Sequence, residues 1–238
     1  MSGLIMSITP GKVGELLKSY LVKEVTGFPI SKTAPVIFAE RVTDFLSLIL
    51  IAVIGALVFE YGLGISIGAA FFFLLIIFII GSKKISLAII GFAEKIKPIK
   101  KYATHLQHAY ESSYQLLRPL PLLKMTLISL LSWGFECLGY HIILLNFGIA
   151  FGFFWASFNY ALATIVGALS MLPGGLGVTE GSLTFMLMKK GVARDLAVTS
   201  TFLVRVVTLW FAVLIGVISV SIYQKRFGNN SIEKTSNL

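Results

Sequence analysis

Five ionisable side chains lie inside stretches that are otherwise apolar: Glu40, Arg41 and Asp44 within residues 35–58, Glu136 within 124–146, and Arg205 within 196–222. At the centre of a membrane helix each costs about 2.5–3.5 kcal/mol on an insertion scale, whereas a Leu, Ile, Phe or Val gains about 0.3–0.6. Carrying all five requires pairing or a wet interior. Arg41 and Asp44, at i and i+3, can pair along one helix, while Glu40 and Asp44, at i and i+4, repel unless a cation or Arg205 intervenes. A guanidinium binds phosphate in bidentate fashion, so Arg41 and Arg205 are expected to face each other across a cavity and hold a lipid phosphate. The competing roles are snorkelling at helix ends and structural pairing with Asp44 and Glu180. Glu136 suits proton coupling, a cationic headgroup, or a hydrogen bond to a neighbouring helix. His141 reads as packed rather than catalytic.

Two breaks accompany these charges, "TPGKVGE" at residues 9–15 and "LPGGLGVTEG" at 172–181. Proline has no amide hydrogen and a glycine-rich turn frees further backbone groups, so each break must be buried in protein or line water. A helix that starts after such a break points its first amides outward with partial positive charge, a ready site for phosphate or carboxylate. Gly11, Lys12 and Gly14 in the first break, and Gly174, Gly175, Gly177 and Thr179 in the second, are therefore expected to bind lipid phosphate. Glu15, Glu40, Asp44, Glu136 and Glu180 are the supporting or coupling acids. Thr179 reads as an N-cap, Glu180 as a first-turn acid, and Lys189, Lys190 and Gly191 as a basic last turn with a glycine stop. The helix so delimited, about residues 179–190, is short enough for a re-entrant arm.

The elements that must carry these groups follow from composition. Of 238 residues 56% are hydrophobic and 13% charged, with a mean hydropathy of +0.88, more apolar surface than one water-soluble core can hide. Runs of about 20 apolar residues span a bilayer as helices. Five candidates lie at 35–58, 63–81, 124–146, 152–171 and 196–222. The expected fold is an all-α membrane protein, a polytopic bundle of about five spans plus two broken or re-entrant Pro-Gly segments. The chain also repeats itself: Pro10 leads Arg41 by 31 residues and Pro173 leads Arg205 by 32. One unit thus runs over about 8–60 and the other over about 171–222, within a single transmembrane domain of residues 1–225. If the second break returns to the side it left, Lys189, Lys190 and Arg194 are cytoplasmic. If it crosses, the repeats are inverted, which gives a route to alternating access.

Charge and punctuation place the rest. The net charge is +9, and the lysines before the first span and within 83–123 make both segments cytoplasmic by the positive-inside rule. Ile85, Ala88, Ile89, Phe92 and Ile96 recur at helical spacing beside Lys95 and Lys97, an amphipathic helix lying at the interface until Pro98. A second polar helix covers about 100–117, where His105 and His108 read as surface residues rather than metal ligands. Lone Cys137 reads as a small buried apolar group. Residues 226–238 have the composition of a disordered tail. The N-terminus lacks the pattern of a cleaved secretory signal.

"TPGKVGE", then "AERVTD", then "LPGGLGVTEG" followed by an arginine-bearing last helix resemble the flippase-like transmembrane family related to the membrane domain of lysylphosphatidylglycerol synthases. The resemblance implies a multi-pass inner-membrane protein whose relatives move a charged phospholipid across the bilayer or take part in envelope lipid and glycolipid handling. Such members usually carry further spans before the first motif, so the chain reads as an N-terminally shortened member. It has no 100-residue polar segment to house the synthases' soluble aminoacyl-transferase domain. The expected function is that of a lipid flippase or headgroup permease for anionic phospholipid or glycolipid intermediates. Its partners are membrane lipids, not nucleic acid, with a soluble lipid enzyme or an additional membrane subunit as a further partner. No cofactor or metal is expected, and no Walker-type sequence is present to use ATP. The alternatives are an intramembrane lipid-headgroup transferase, for which Glu136, Glu180 and His141 would be the acid and base groups, and an accessory subunit of a lipid-modifying enzyme.

Overall fold

A computed structural model describes residues 17–58, 71, 75, 78, 79, 81–93, 110, 111 and 113–227. The first Pro-Gly motif, with Gly11, Lys12, Gly14 and Glu15, lies outside these residues. So do most of the 63–81 stretch, His105, His108, Lys95 and Lys97, and residues 228–238.

Every regular element among the described residues is helical: α1 (Leu17–Thr26), α2 (Ile30–Val58), α3 (Lys83–Ala93), α4 (Pro119–Asn146), α5 (Phe153–Leu169), α6 (Val178–Lys189), α7 (Arg194–Arg205) and α8 (Phe211–Phe227). The chain is an all-α membrane protein. Among the described residues three stretches are long and apolar enough to cross a bilayer, Lys32–Val58, Pro119–Asn146 and Arg194–Ile222, and α5 is a shorter apolar helix. At 1.5 Å per residue α4 is about 42 Å long and α6 only about 18 Å, against a hydrocarbon layer of about 30 Å. The side of α4 that carries Leu127, Leu131 and Phe135 is exposed, and Ile128 is 71% exposed. Acyl chains, not water, suit that surface.

The helix ends obey local rules. Arg118 adopts the extended conformation favoured before proline (φ −59°, ψ 151°), and Pro119 opens α4 where a missing amide hydrogen costs nothing. At its other end Gly148, at φ 73°, donates to Leu145 O, while Ile149 N donates to Leu144 O. The same paired closure ends α6 at Gly191, with Gly191 N on Met188 O and Val192 N on Leu187 O. That is the glycine stop expected from the sequence.

The described residues fall into two compact units, 22–165 and the remainder. In the first, α2 packs along α4, and Ala39, Leu46, Leu117 and Leu122 are buried together. Helices α2 and α5 approach at Gly55, where a Cβ would lie 2.5 Å from Phe158 Cβ and 2.9 Å from Phe154 O. Gly55→Ala is therefore expected to destabilise by about 1–3 kcal/mol through overpacking. Gly139→Ala in α4, with nothing within 4 Å, serves as the control and should be neutral or stabilising by up to about 1 kcal/mol. Thermal unfolding of both variants in one detergent checks the contrast.

In the second unit α6 packs on α7. Ala197, Ser200, Thr201 and Val204 form the buried stripe of α7, and the Thr184 and Thr201 hydroxyls meet at 3.3 Å. A π-helical turn, Val206–Trp210, joins α7 to α8 immediately after Arg205. Such turns insert an extra residue into a helix and are frequent at functional sites.

Candidate functional site at the second Pro-Gly break

Helix α5 ends at Leu169, and the chain then turns through Pro173–Gly175 before α6 begins. Ser170 caps the exit: its hydroxyl donates to Gly167 O at 2.6 Å and accepts from Leu172 N at 3.3 Å. Met171 (φ 55°), Gly174 (φ 61°), Gly175 (φ 65°) and Gly177 (φ 82°) all occupy the left-handed region, which explains the density of glycine and leaves Met171 as a non-glycine residue there. Gly175 is also confined sterically. A Cβ on it would lie 2.6 Å from Thr179 Oγ1 and 3.2 Å from Gly167 Cα, and a Cβ on Gly167 would overlap the same hydroxyl oxygen. Two backbones thus touch across one threonine.

Thr179 does not cap α6. The cap is Gly177, and Thr179 is the second helical residue, its side chain buried against Gly167 and Gly175. A glycine cap has no side-chain oxygen, so the box is half made. Glu180 reaches back to accept the Gly177 amide at 2.6 Å. The first amides of α6 receive no side-chain cap bond, and helix geometry gives them no carbonyl partner.

Arg205 holds this turn together. Its Nε donates to Glu180 Oε1 at 2.6 Å, and its Nη2 donates to Gly174 O at 2.6 Å. The Arg205 side chain is only 12% exposed and that of Glu180 26%. One guanidinium therefore ties the break, the first turn of α6 and the end of α7 into a single clamp, and it satisfies a carbonyl that the interrupted helix leaves without an amide. Of the roles open to Arg205 in the sequence, pairing with Glu180 is realised.

In unit 22–165 Arg41 separates its two acids: Nη2 is 2.8 Å from Glu40 Oε1 and Nη1 is 3.0 Å from Asp44 Oδ2. The intervening cation is thus Arg41. Asp44 Oδ1 accepts from Ser129 Oγ at 2.6 Å and from Trp133 Nε1 at 3.3 Å, both on α4. A cavity of about 270 Å³ opens here between Glu40, Thr43 and Asp44 on α2 and Ser129 and Ser132 on α4. Asp44→Leu is expected to destabilise by about 2–4 kcal/mol, since it leaves Arg41 and two α4 donors short of an acceptor. Asp44→Asn, which keeps one oxygen, should recover at least half of that loss in thermal unfolding. Glu136 accepts from Tyr160 Oη on α5 at 2.7 Å, beside a second bond from Asn159 Nδ2 to Tyr140 Oη at 2.9 Å. Of the roles open to Glu136 in the sequence, the hydrogen bond to a neighbouring helix is present. His141 packs edge-on against Phe153, with ring centroids 5.8 Å apart. Cys137 is buried and free.

Within the second unit the structure gathers Gly174, Gly175, Gly177, Thr179, Glu180 and Arg205, and within unit 22–165 it gathers Glu40, Arg41 and Asp44. Ser129, Trp133 and Tyr160, which complete the acids' hydrogen bonds, carry no sequence signal of their own. Neither does Gly167, whose role rests on a close approach.

The Lysylphosphatidylglycerol synthase TM region family matches residues 1–216. This chain belongs to that family. It is 26% identical to a UPF0104 membrane protein of Methanocaldococcus jannaschii, over 93% of this chain and 94% of that protein. A UPF0104 membrane protein of Methanothermobacter thermautotrophicus is 35% identical over 41% of this chain and 29% of its own length. One of Pyrococcus horikoshii is 32% identical over 40% and 28%. This chain therefore spans nearly the whole of the first relative, and its matches to the other two cover less than a third of theirs. No solved structure matches. The family and the apolar helices agree on a membrane location.

Proposed function

We propose that this chain is a lipid flippase or headgroup permease of the cell's inner membrane, acting on anionic phospholipid or glycolipid intermediates. The observation that carries the reading is the clamp at the second break, where one guanidinium, 12% exposed, braces a Pro-Gly turn against the start of a 12-residue helix. The amides of Val178 and Thr179 present positive partial charge where no side chain caps them, the Gly177 amide before them being taken by Glu180. A lipid phosphate fits that end of α6, while its tails stay in the bilayer. Arg205 then has a double task, to hold the turn in shape and to offset the Glu180 carboxylate that would otherwise repel an anion there. An ion gradient or a partner protein supplies the energy, and the basic segment 83–123 faces the cytoplasm.

The test is leaflet exchange of a fluorescent acidic phospholipid in vesicles carrying the purified protein, for the wild type, Arg41→Ala and Arg205→Ala. Each variant is read at a temperature where it remains folded. Exchange in the wild type that falls at least about tenfold in folded Arg205→Ala is the expected result, one charged hydrogen-bond partner being worth about 1.5–3 kcal/mol. A wild type without exchange that chemically alters the headgroup would instead be an intramembrane transferase. With neither activity, and a soluble lipid enzyme co-purifying, the chain is an accessory subunit.

A further inference from the structure

Two cations approach the ring of Tyr114. Lys83 Nζ, at the start of α3, and Arg118 Cζ, at the N-cap of α4, are each 5.7 Å from the centre of its ring. The two positive charges are therefore no more than twice that distance apart. Neither joins an ion pair among the described residues, and both are exposed. Arg118 is carried on the stiff extended backbone that precedes Pro119. Like charges gathered on one ring, with no ion pair to a carboxylate among the described residues, suit an anion, and a guanidinium beside an ammonium suits a phosphate.

An apolar slot of about 150 Å³ lies beside this ring, for Tyr110, which lines it, has its ring centroid 6.0 Å from that of Tyr114. Phe38 and Val42 of α2, Ile89 of α3, Ile79, Tyr110 and Leu117 line it. Of the two lining residues that carry a hydroxyl, Ser86 and Tyr110, Ser86 already donates its own to Ile79 O at 2.7 Å. Ile89 is about half exposed and Phe92 is 67% exposed on the same helix, so the slot opens outward beside an apolar surface. Its walls favour hydrocarbon, and its rim favours a phosphate.

We infer that this slot is a binding site for one anionic phospholipid, with an acyl chain against Ile89 and Leu117 and the phosphate between Lys83 and Arg118. The site uses none of the residues of the second Pro-Gly break and does not depend on the translocation reading. It fixes α3 to the membrane surface through a specific lipid rather than by general attraction of a basic loop.

The full chain is purified in a mild detergent and offered phosphatidylglycerol and phosphatidylcholine of identical acyl chains, and the retained lipid is counted by native mass spectrometry. The wild type should retain phosphatidylglycerol preferentially. The double variant Lys83→Gln, Arg118→Gln should lose roughly fivefold in that preference per cation. A charge-matched control, Lys189→Gln with Arg194→Gln, should keep it. Ile89→Trp, which fills the slot, should lower retention of both lipids and leave their ratio unchanged. Equal loss in the charge-matched control, an unaltered preference in the double variant, or wild-type retention in Ile89→Trp would each overturn the assignment. Thermal unfolding of the same samples confirms that every variant compared is folded.

Discussion

Arg205→Ala is expected to lower the stability of the protein by about 3–5 kcal/mol, the cost of breaking a largely buried pair by removing one partner. The reason is geometric. Removal of the guanidinium strands the Glu180 carboxylate, which keeps the Gly177 amide but loses a charged donor at 2.6 Å, and it strips Gly174 O of its hydrogen bond. Neither acceptor has water freely at hand beside a side chain that is 12% exposed. Arg205→Lys is the sharper variant. An ammonium keeps the charge but is a compact donor on a flexible stem, and it cannot address Glu180 and Gly174 with the fixed fork of a guanidinium. It should recover less than half of the loss, whereas a site that needed only positive charge would recover nearly all of it. Thermal unfolding of the three proteins in one detergent reads the difference. If Arg205→Ala melts with the wild type, Arg205 does not brace the turn.

The second large effect is expected at Gly167. Adding a Cβ there overlaps Thr179 Oγ1 and brings Thr179 Cβ to 3.3 Å. The threonine cannot retreat easily, because it is buried at the second position of α6 and Gly175 closes its other side. Gly167→Ala should cost about 1–3 kcal/mol, as overpacking of a tight contact does. Thr179→Ala removes the offending oxygen, so the double variant should be more stable than the sum of the two single changes by about 1 kcal/mol or more. A strictly additive pair would mean that the two backbones are not in contact through this side chain. Gly175→Ala is not rescued in the same way, since φ 65° strains any residue with a Cβ, whatever space is made.

Both predictions bear on how the break works. A Pro-Gly interruption at membrane depth survives only if the freed backbone groups find partners within the protein. Here a side-chain guanidinium takes the carbonyl, Glu180 takes the Gly177 amide and the Ser170 hydroxyl takes the Leu172 amide. The first amides of α6 are left to whatever the turn holds. The π-helical turn that follows Arg205 directly gives the last long helix a second irregularity beside the first.

Much of this was legible along the chain. Spans were marked by apolar length, since about 20 such residues must cross as a helix, and helices cover 30–58, 119–146, 153–169 and 194–227 where spans were expected from 35, 124, 152 and 196. The starts differ because Pro119 opens α4 five residues before the run turns fully apolar, and α2 continues through Pro35. The break at 172–177, the glycine stop at Gly191 and the Arg41–Asp44 pair were equally visible, because each is set by residues within a few positions of one another. The family was visible for the same reason, through short motifs.

Partner choice across distance was not legible. Asp44 finds Ser129 85 residues on, and Arg205 finds Gly174 31 residues back. Nothing local distinguishes Ser129 from any other serine in an apolar run, or Gly167 from a glycine with open space around it such as Gly139. The cap of α6 moved from Thr179 to Gly177 for a tertiary reason as well: the threonine is held in the contact with Gly167 and Gly175, and the left-handed turn needs glycine at 177. Hydrophobic period and punctuation act over one or two turns of helix, so they can be read from the chain. Which donor meets which acceptor depends on how whole helices pack, and only the folded arrangement assigns Arg205 to the turn it braces.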